Sequence, residues 1–118
     1  LRVLVVDDNH DAADSLAVLL RTFGMEVRVA YAGMPALEIA ADWRPNVAVL
    51  DIGLPDLRGT EVARRLRALG PWAEALRIVA VTGWGTEADR ERSRQAGIDV
   101  HLVKPVDPDE LARRVATL

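Results

Sequence analysis

The sequence predicts an α/β fold built on a parallel sheet. Short apolar, β-branched runs alternate with longer stretches of helical period, the pattern of repeated βα units. Four of the apolar runs also end in polar residues: Val3 to Val6 in Asp7-Asp8, Val47 to Leu50 in Asp51, Ile78 to Val81 in Thr82, and the last in Lys104-Pro105. In a parallel sheet those ends share one edge, where ligands bind outside the carboxyl ends of the strands. With 118 residues, 50% of them hydrophobic, the chain suits one domain around a single core.

Strands are expected near 2–6, 26–31, 46–50, 77–82 and 99–103. The first helix is predicted over 11–23, from Leu16, Leu19, Leu20 and Phe23 at helical spacing, with Gly24 as a left-handed stop. The second, over 34–42, is Ala-rich and short. A third, over 59–69, carries Val62, Leu66 and Leu69 and is closed by Gly70-Pro71. The fourth, over 86–96, opens with a capping-box-like Thr86-x-x-Asp89 but offers almost no apolar stripe, so it should be loosely held. The last starts from Asp107 as N-cap with Pro108 in its first turn, and presents Leu111, Val115 and Leu118 inward.

Composition excludes several function classes. Without cysteine there is no disulfide framework and no thiolate metal site, and the chain suits a reducing, cytoplasmic setting. A net charge of −3 argues against a nucleic-acid surface on this domain. No apolar run approaches the roughly 20 residues of a membrane span, so no direct membrane contact is expected. The chain opens on Leu1 rather than Met, and the expectation is a domain comprising 1–118 excised from a longer protein, which could itself be membrane-anchored.

Asp7 and Asp8 would point to opposite faces of a regular strand, so both reach one site only where the strand has become a loop, with Asn9 capping the next helix. Alone, such a pair reads as a solvated turn. Joined by Asp51 it places hard oxygen donors around one point, which suits Mg²⁺. Asp51 ends a run too apolar to finish in a purposeless charge, and a carboxylate can accept a phosphoryl group as an acyl phosphate. Mg²⁺, Lys104 and the Thr82 hydroxyl would then share the phosphoryl oxygens. Lys104 is the single lysine against fourteen arginines, a compact ammonium kept where a guanidinium would not substitute. X-Pro bonds are those that adopt cis, and a cis Lys104-Pro105 bond could aim the lysine into the crevice.

Asp7-Asp8, Asp51, Thr82 and Lys104-Pro105, in order on a βα frame covering essentially the whole chain, resemble the receiver domain of two-component response regulators. The resemblance implies a doubly wound, flavodoxin-like five-stranded parallel sheet of order 2-1-3-4-5. It implies that Asp51 accepts phosphate from a phosphohistidine on a histidine kinase or histidine phosphotransfer domain. Asp8 and Asp51 would bind Mg²⁺, with Mn²⁺ as a substitute ion, Asp7 would act largely through water, and Gly53 would lend its backbone carbonyl. The domain would assist only its own phosphorylation and dephosphorylation, rather than act as an enzyme on other substrates.

The chain departs from the family pattern at four places. His101 stands where Tyr or Phe usually follows the Thr hydroxyl, and it either fills the aromatic's slot or makes the output vary with pH. Gly53 lacks a side chain that many members place beside the phosphoryl group, and Trp84 puts a large ring on the flanking loop, so both are candidates for setting phosphate lifetime. Arg58 replaces a capping Asp, and the third helix is expected to start late or fray.

Added phosphoryl charge beside Lys104 and Thr82 would shift the fourth helix, making it, the fifth strand and the last helix the output face. Arg90, Arg94 and Arg113 are candidate contacts there, and a homodimer formed on phosphorylation is one further expectation. The texture of residues 51–55 and 101–107 resembles receivers fused to hybrid sensor histidine kinases. A stand-alone receiver or one from a transcriptional regulator is the alternative. A Mg²⁺-dependent phosphohydrolase of the haloacid dehalogenase type would need an acid where Gly53 stands, and a pseudo-receiver would lack acceptor or metal residues.

Overall fold

The computed structural model describes every residue from Leu1 to Leu118 except Trp84. Five strands, β1 (Arg2–Val6), β2 (Glu26–Ala30), β3 (Val47–Asp51), β4 (Arg77–Thr82) and β5 (Val100–Val103), form one parallel sheet of order β2-β1-β3-β4-β5. Between and after them run α1 (His10–Thr22), α2 (Gly33–Trp43), α3 (Gly59–Arg67), α4 (Glu87–Gln95) and α5 (Pro108–Ala116). A 3₁₀ turn at Pro71–Glu74, absent from the sequence reading, leads into β4.

The pleat divides the core in two. Leu4, Val6, Leu50 and Ile78 face α2 and α3, whose Leu37, Ala40, Val62 and Leu66 cover them. Val3, Val5, Val49 and Val79 face the other way, under Ala13, Ala17 and Leu20 of α1 and Leu111 and Val115 of α5. Strand segments buried on both faces must be apolar at every position, which is why residues 3–6 of β1, 47–50 of β3 and 78–81 of β4 read as unbroken hydrophobic runs.

Several expectations need correction. The buried stripe of α1 is Ala13, Ala17 and Leu20, while Phe23 closes the helix with 46% of its surface exposed. Leu118 lies beyond the end of α5 and is exposed, not inward. The third helix does not start late: with Arg58 offering no side-chain cap, α3 still begins at Gly59, whose N–H donates to the Ile52 carbonyl at 2.9 Å. The backbone of the preceding loop has replaced the missing cap.

The fourth helix is held as its sequence suggests. Ser93 is its one buried residue, and its start is a full capping box between Thr86 and Asp89. At the opposite end of the sheet from the acids, Arg67 at the end of α3 ties distant segments together. Its guanidinium donates to the carbonyls of Gly97 (2.7 and 3.1 Å), Ala73 (2.8 Å) and Leu76, and pairs with Asp99 at 2.8 Å. Asp99 in turn accepts the Ile78 N–H at 2.8 Å, which fixes the start of β4.

Candidate metal and phosphoryl site

With all strands parallel, Asp7-Asp8, Asp51, Thr82 and Lys104 leave the sheet at one edge. β1 turns away at Asp7, whose N–H still reaches the Ala30 carbonyl of β2 at 3.1 Å. Its carboxylate then accepts the Asn9 N–H at 3.0 Å, and Asn9 caps α1 by accepting the Ala12 N–H at 3.1 Å. This turn frees the Asp7 and Asp8 side chains from the strict alternation of a strand.

One carboxylate oxygen from each of Asp7, Asp8 and Asp51 lies within 4.8 Å of the others. Asp7 and Asp51 are partly buried and Asp8 is exposed, so the cluster opens to water on one side. Burial, joined by the neighbouring Asp51 carboxylate, pushes the Asp7 carboxyl above its ordinary value of 3.8, against the opposing pull of the Asn9 N–H and the Lys104 charge. Crowded anions of this kind fit a hard divalent cation that keeps several waters.

Asp51 is the last residue of β3, its side chain 13% exposed. One of its oxygens accepts the Gly53 N–H at 3.1 Å, and the other lies 3.5 Å from Lys104 Nζ. The ammonium thus sits against the carboxylate, with 46% of its side chain open to solvent. The Lys104-Pro105 peptide is cis. Thr82, buried at the end of β4, accepts the Lys104 N–H on its carbonyl at 2.7 Å, which locks the ends of β4 and β5 together. A Cβ at Gly53 would meet, among the described residues beyond its chain neighbours, only Asp51 at 3.9 Å.

His101 lies on β5, where its Nδ1 and the Ser93 hydroxyl of α4 share a hydrogen bond at 2.8 Å. Both line a cavity of about 490 Å³ beside the acid cluster, together with Gly53, Thr82, Arg58 and Asp89. Trp84, expected on the loop after Thr82, lies outside the described residues. A second groove, of about 790 Å³, runs from the acids and Lys104 past Leu16, Val106 and Leu111 between α1 and α5.

The sequence reading missed the rim on the β2 side. Tyr31 stacks on His10 with ring centroids 3.7 Å apart and donates its hydroxyl to Asp14 at 2.6 Å. Asp56, in the loop after Asp51, accepts the first amides of α2. The available signal was negative: Ala32, just before α2, is not a capping residue, so the cap had to come from elsewhere.

Comparison with known proteins accords with this geometry. The family model described as the response regulator receiver domain matches residues 3–116. The transcriptional regulatory protein CreB of Escherichia coli (strain K12) is 39% identical over 98% of the chain and 49% of its own length. The response regulator MprA of Mycobacterium ulcerans (strain Agy99) is 38% identical over 100% of the chain and 50% of its own length. The chain therefore spans about half the length of these curated relatives. Among solved structures, the CheY-like response regulator receiver domain protein of Methanospirillum hungatei JF-1 superposes with a TM-score of 0.89 at 32% identity, covering 98% of this chain and 90% of that one. A family match over nearly every residue, on the same fold, settles the assignment: the chain belongs to the response regulator receiver domains.

Proposed function

We propose that this receiver domain is a phospho-acceptor switch in which Asp51 takes a phosphoryl group from a phosphohistidine of a histidine kinase or histidine phosphotransfer domain. The observation that carries the reading is the juxtaposition of three carboxylates within 4.8 Å and an ammonium 3.5 Å from one of them, at a single sheet edge. Receiver domains act as signalling switches, and transfer to a carboxylate needs mainly alignment and neutralised charge.

In the proposed step an Asp51 oxygen forms the new P–O bond as the P–N bond to the donor imidazole breaks, and the electron pair returns to that ring nitrogen. Lys104 takes up part of the charge on the phosphoryl oxygens, and the Thr82 hydroxyl hydrogen-bonds another of them. Asp7, Asp8 and Asp51 would hold Mg²⁺, with the Gly53 carbonyl as the further ligand the family resemblance implies. When bound, the ion supplies countercharge to the carboxylates and to the incoming group.

His101 occupies the slot of the family's aromatic in this reading, and its bond to Ser93 is the route by which events at Thr82 reach α4. The output face is then α4, β5 and α5. The relatives compared are response regulators rather than hybrid kinases, which supports the receiver of a CreB-like transcriptional regulator, or a stand-alone receiver, over the hybrid-kinase setting. Any contact with DNA would belong to another domain, consistent with the net charge of −3. The proposed setting is cytoplasmic, and no helix among the described residues is long and apolar enough to cross a membrane.

Intact-protein mass after incubation with Mg²⁺ and an acyl phosphate tests the reading. A phosphate adduct that needs Mg²⁺ and disappears in Asp51→Asn is expected. An adduct that persists in Asp51→Asn, or steady hydrolysis of diverse phosphate esters, would overturn it.

A further inference from the structure

We infer that Asp56 is a positioning residue: by capping α2 from the loop between β3 and α3, it holds Gly53 in register with the Asp7, Asp8 and Asp51 cluster. The inference rests on the metal-site reading above and deepens it.

The first turn of a helix leaves N–H groups without intrahelical partners. In α2 the third residue, Pro35, has no N–H, and the Ala36 N–H reaches the Ala32 carbonyl at 3.3 Å. Gly33 and Met34 remain. Gly33 donates to Asp56 Oδ1 at 2.7 Å and Met34 to Asp56 Oδ2 at 2.8 Å, while Ala32 offers no side-chain cap. One carboxylate, 22 and 23 residues away in sequence, thus serves both orphan donors and the positive end of the α2 dipole. It also accepts the N–H of its own neighbour Leu57 at 2.9 Å, which stiffens the loop. These amide donors draw the Asp56 carboxyl below its ordinary range.

The cap faces both ways. The loop that carries Asp56 begins at Asp51 and includes Gly53, whose N–H holds Asp51, and it ends where the Gly59 N–H meets the Ile52 carbonyl. The segment joining β2 to α2 is fastened on its other side through Tyr31, by its stack on His10 and its bond to Asp14 of α1. His10 opens α1 two residues after Asp8. The rim is therefore continuous from the loop carrying Asp7 and Asp8, through the β2–α2 segment, to the loop carrying Gly53. Asp56 is the link that joins the last two; groups bonded directly to metal ligands typically govern affinity by about 10- to 100-fold, and Asp56, one link further out, is assigned the lower end of that range.

Amide hydrogen exchange and Mg²⁺ titration of Asp56→Ala, with and without Ala32→Asp, separate positioning from simple capping. Ala32 already has the extended backbone of an N-cap, so Ala32→Asp supplies α2 with its own cap. In the metal-free protein, Asp56→Ala should speed exchange at Gly53 and Gly59, neither of which bonds Asp56, and weaken Mg²⁺ binding by roughly 10-fold. The double variant should recover protection at Met34, the second residue of α2 and the amide an N-cap carboxylate reaches, yet leave Gly53 loose and Mg²⁺ weak. Unchanged exchange at Gly53 and Gly59, or a double variant with parental Mg²⁺ affinity, would overturn the inference. A parent chain that binds no Mg²⁺ would sink the metal-site reading, while the exchange data from metal-free protein would still decide whether Asp56 positions the loop.

Discussion

Ser93 Oγ and His101 Nδ1 meet at 2.8 Å, and this bond joins the one buried residue of α4 to the edge strand β5. A helix with almost no apolar stripe relies on such polar links, here joined by the Arg90 guanidinium donating to the His101 carbonyl at 3.4 Å, since burial of apolar area is the usual source of helix docking energy. The bond therefore weighs more here than the same contact would beneath an amphipathic helix.

Ser93→Ala should release α4 selectively. A net contribution of about 0.5–1.5 kcal/mol corresponds to amide exchange in α4 that is faster by about 2- to 12-fold, with β1 and β3 unaffected. Exchange in α4 that matches the parent would show that the bond is not its anchor.

The stability gained from Mg²⁺ should depend on pH. The folded-state pKa of Asp7 is raised above 3.8, so its protonation favours the folded, metal-free state. That stabilisation is complete below 3.8 and is lost as pH rises through the folded value. At pH 7 fewer protons compete with the ion at Asp7 than in mild acid, and Mg²⁺ at 100 times its Kd should add about 2.7 kcal/mol. Thermal melts at pH 7 and in mild acid, with and without Mg²⁺, should show the larger gain at pH 7; equal gains would contradict the shared role of Asp7.

Arg67 should not be replaceable by Lys. Its planar fork reaches Gly97, Ala73, Leu76 and Asp99 together, whereas an ammonium is a single point of donation. Arg67→Ala should cost about 2–4 kcal/mol in denaturant melts, because several carbonyls lose their partner, and Arg67→Lys should recover only a fraction of it. Full recovery by Lys would mean that the charge pair with Asp99 is all that matters.

Gly59→Ala should disturb the loop that follows Asp51. A Cβ there would stand 2.7 Å from Ile52 Cα and 2.9 Å from the Asp51 carbonyl oxygen, both backbone atoms that cannot rotate away. A loss of about 1–3 kcal/mol is expected, along with altered amide shifts at Ile52 and Gly53. Gly83→Ala, with no atom of the described residues beyond its chain neighbours within 4 Å, should change stability by less than about 0.5 kcal/mol and serves as the control.

Much of the architecture was legible because the signals are local. Capping residues announced α1 at Asn9, α4 at Thr86 and α5 at Asp107, each through a bond to an amide two or three residues on. Where packing chose among equivalent candidates the sequence misled. Phe23 and Leu118 continue the helical spacing, yet the core ends before them, and the small Ala13 and Ala17 take the buried stripe because α1 lies close against the sheet.

By itself the sequence determined which residues form strands, that four of those strands end in polar or charged groups, and that a lone lysine joins three carboxylates at one edge. Period, composition and caps act within about one helical turn or one strand, so they can be read in order along the chain. Only the tertiary structure decided the distances within the cluster, the bond from His101 to Ser93, the hub at Arg67 and the cap that Asp56 lends to α2. Those last two join residues up to 32 positions apart, and an Arg at a helix end or an Asp in a loop carries the same local signal whether or not folding brings its partners to it.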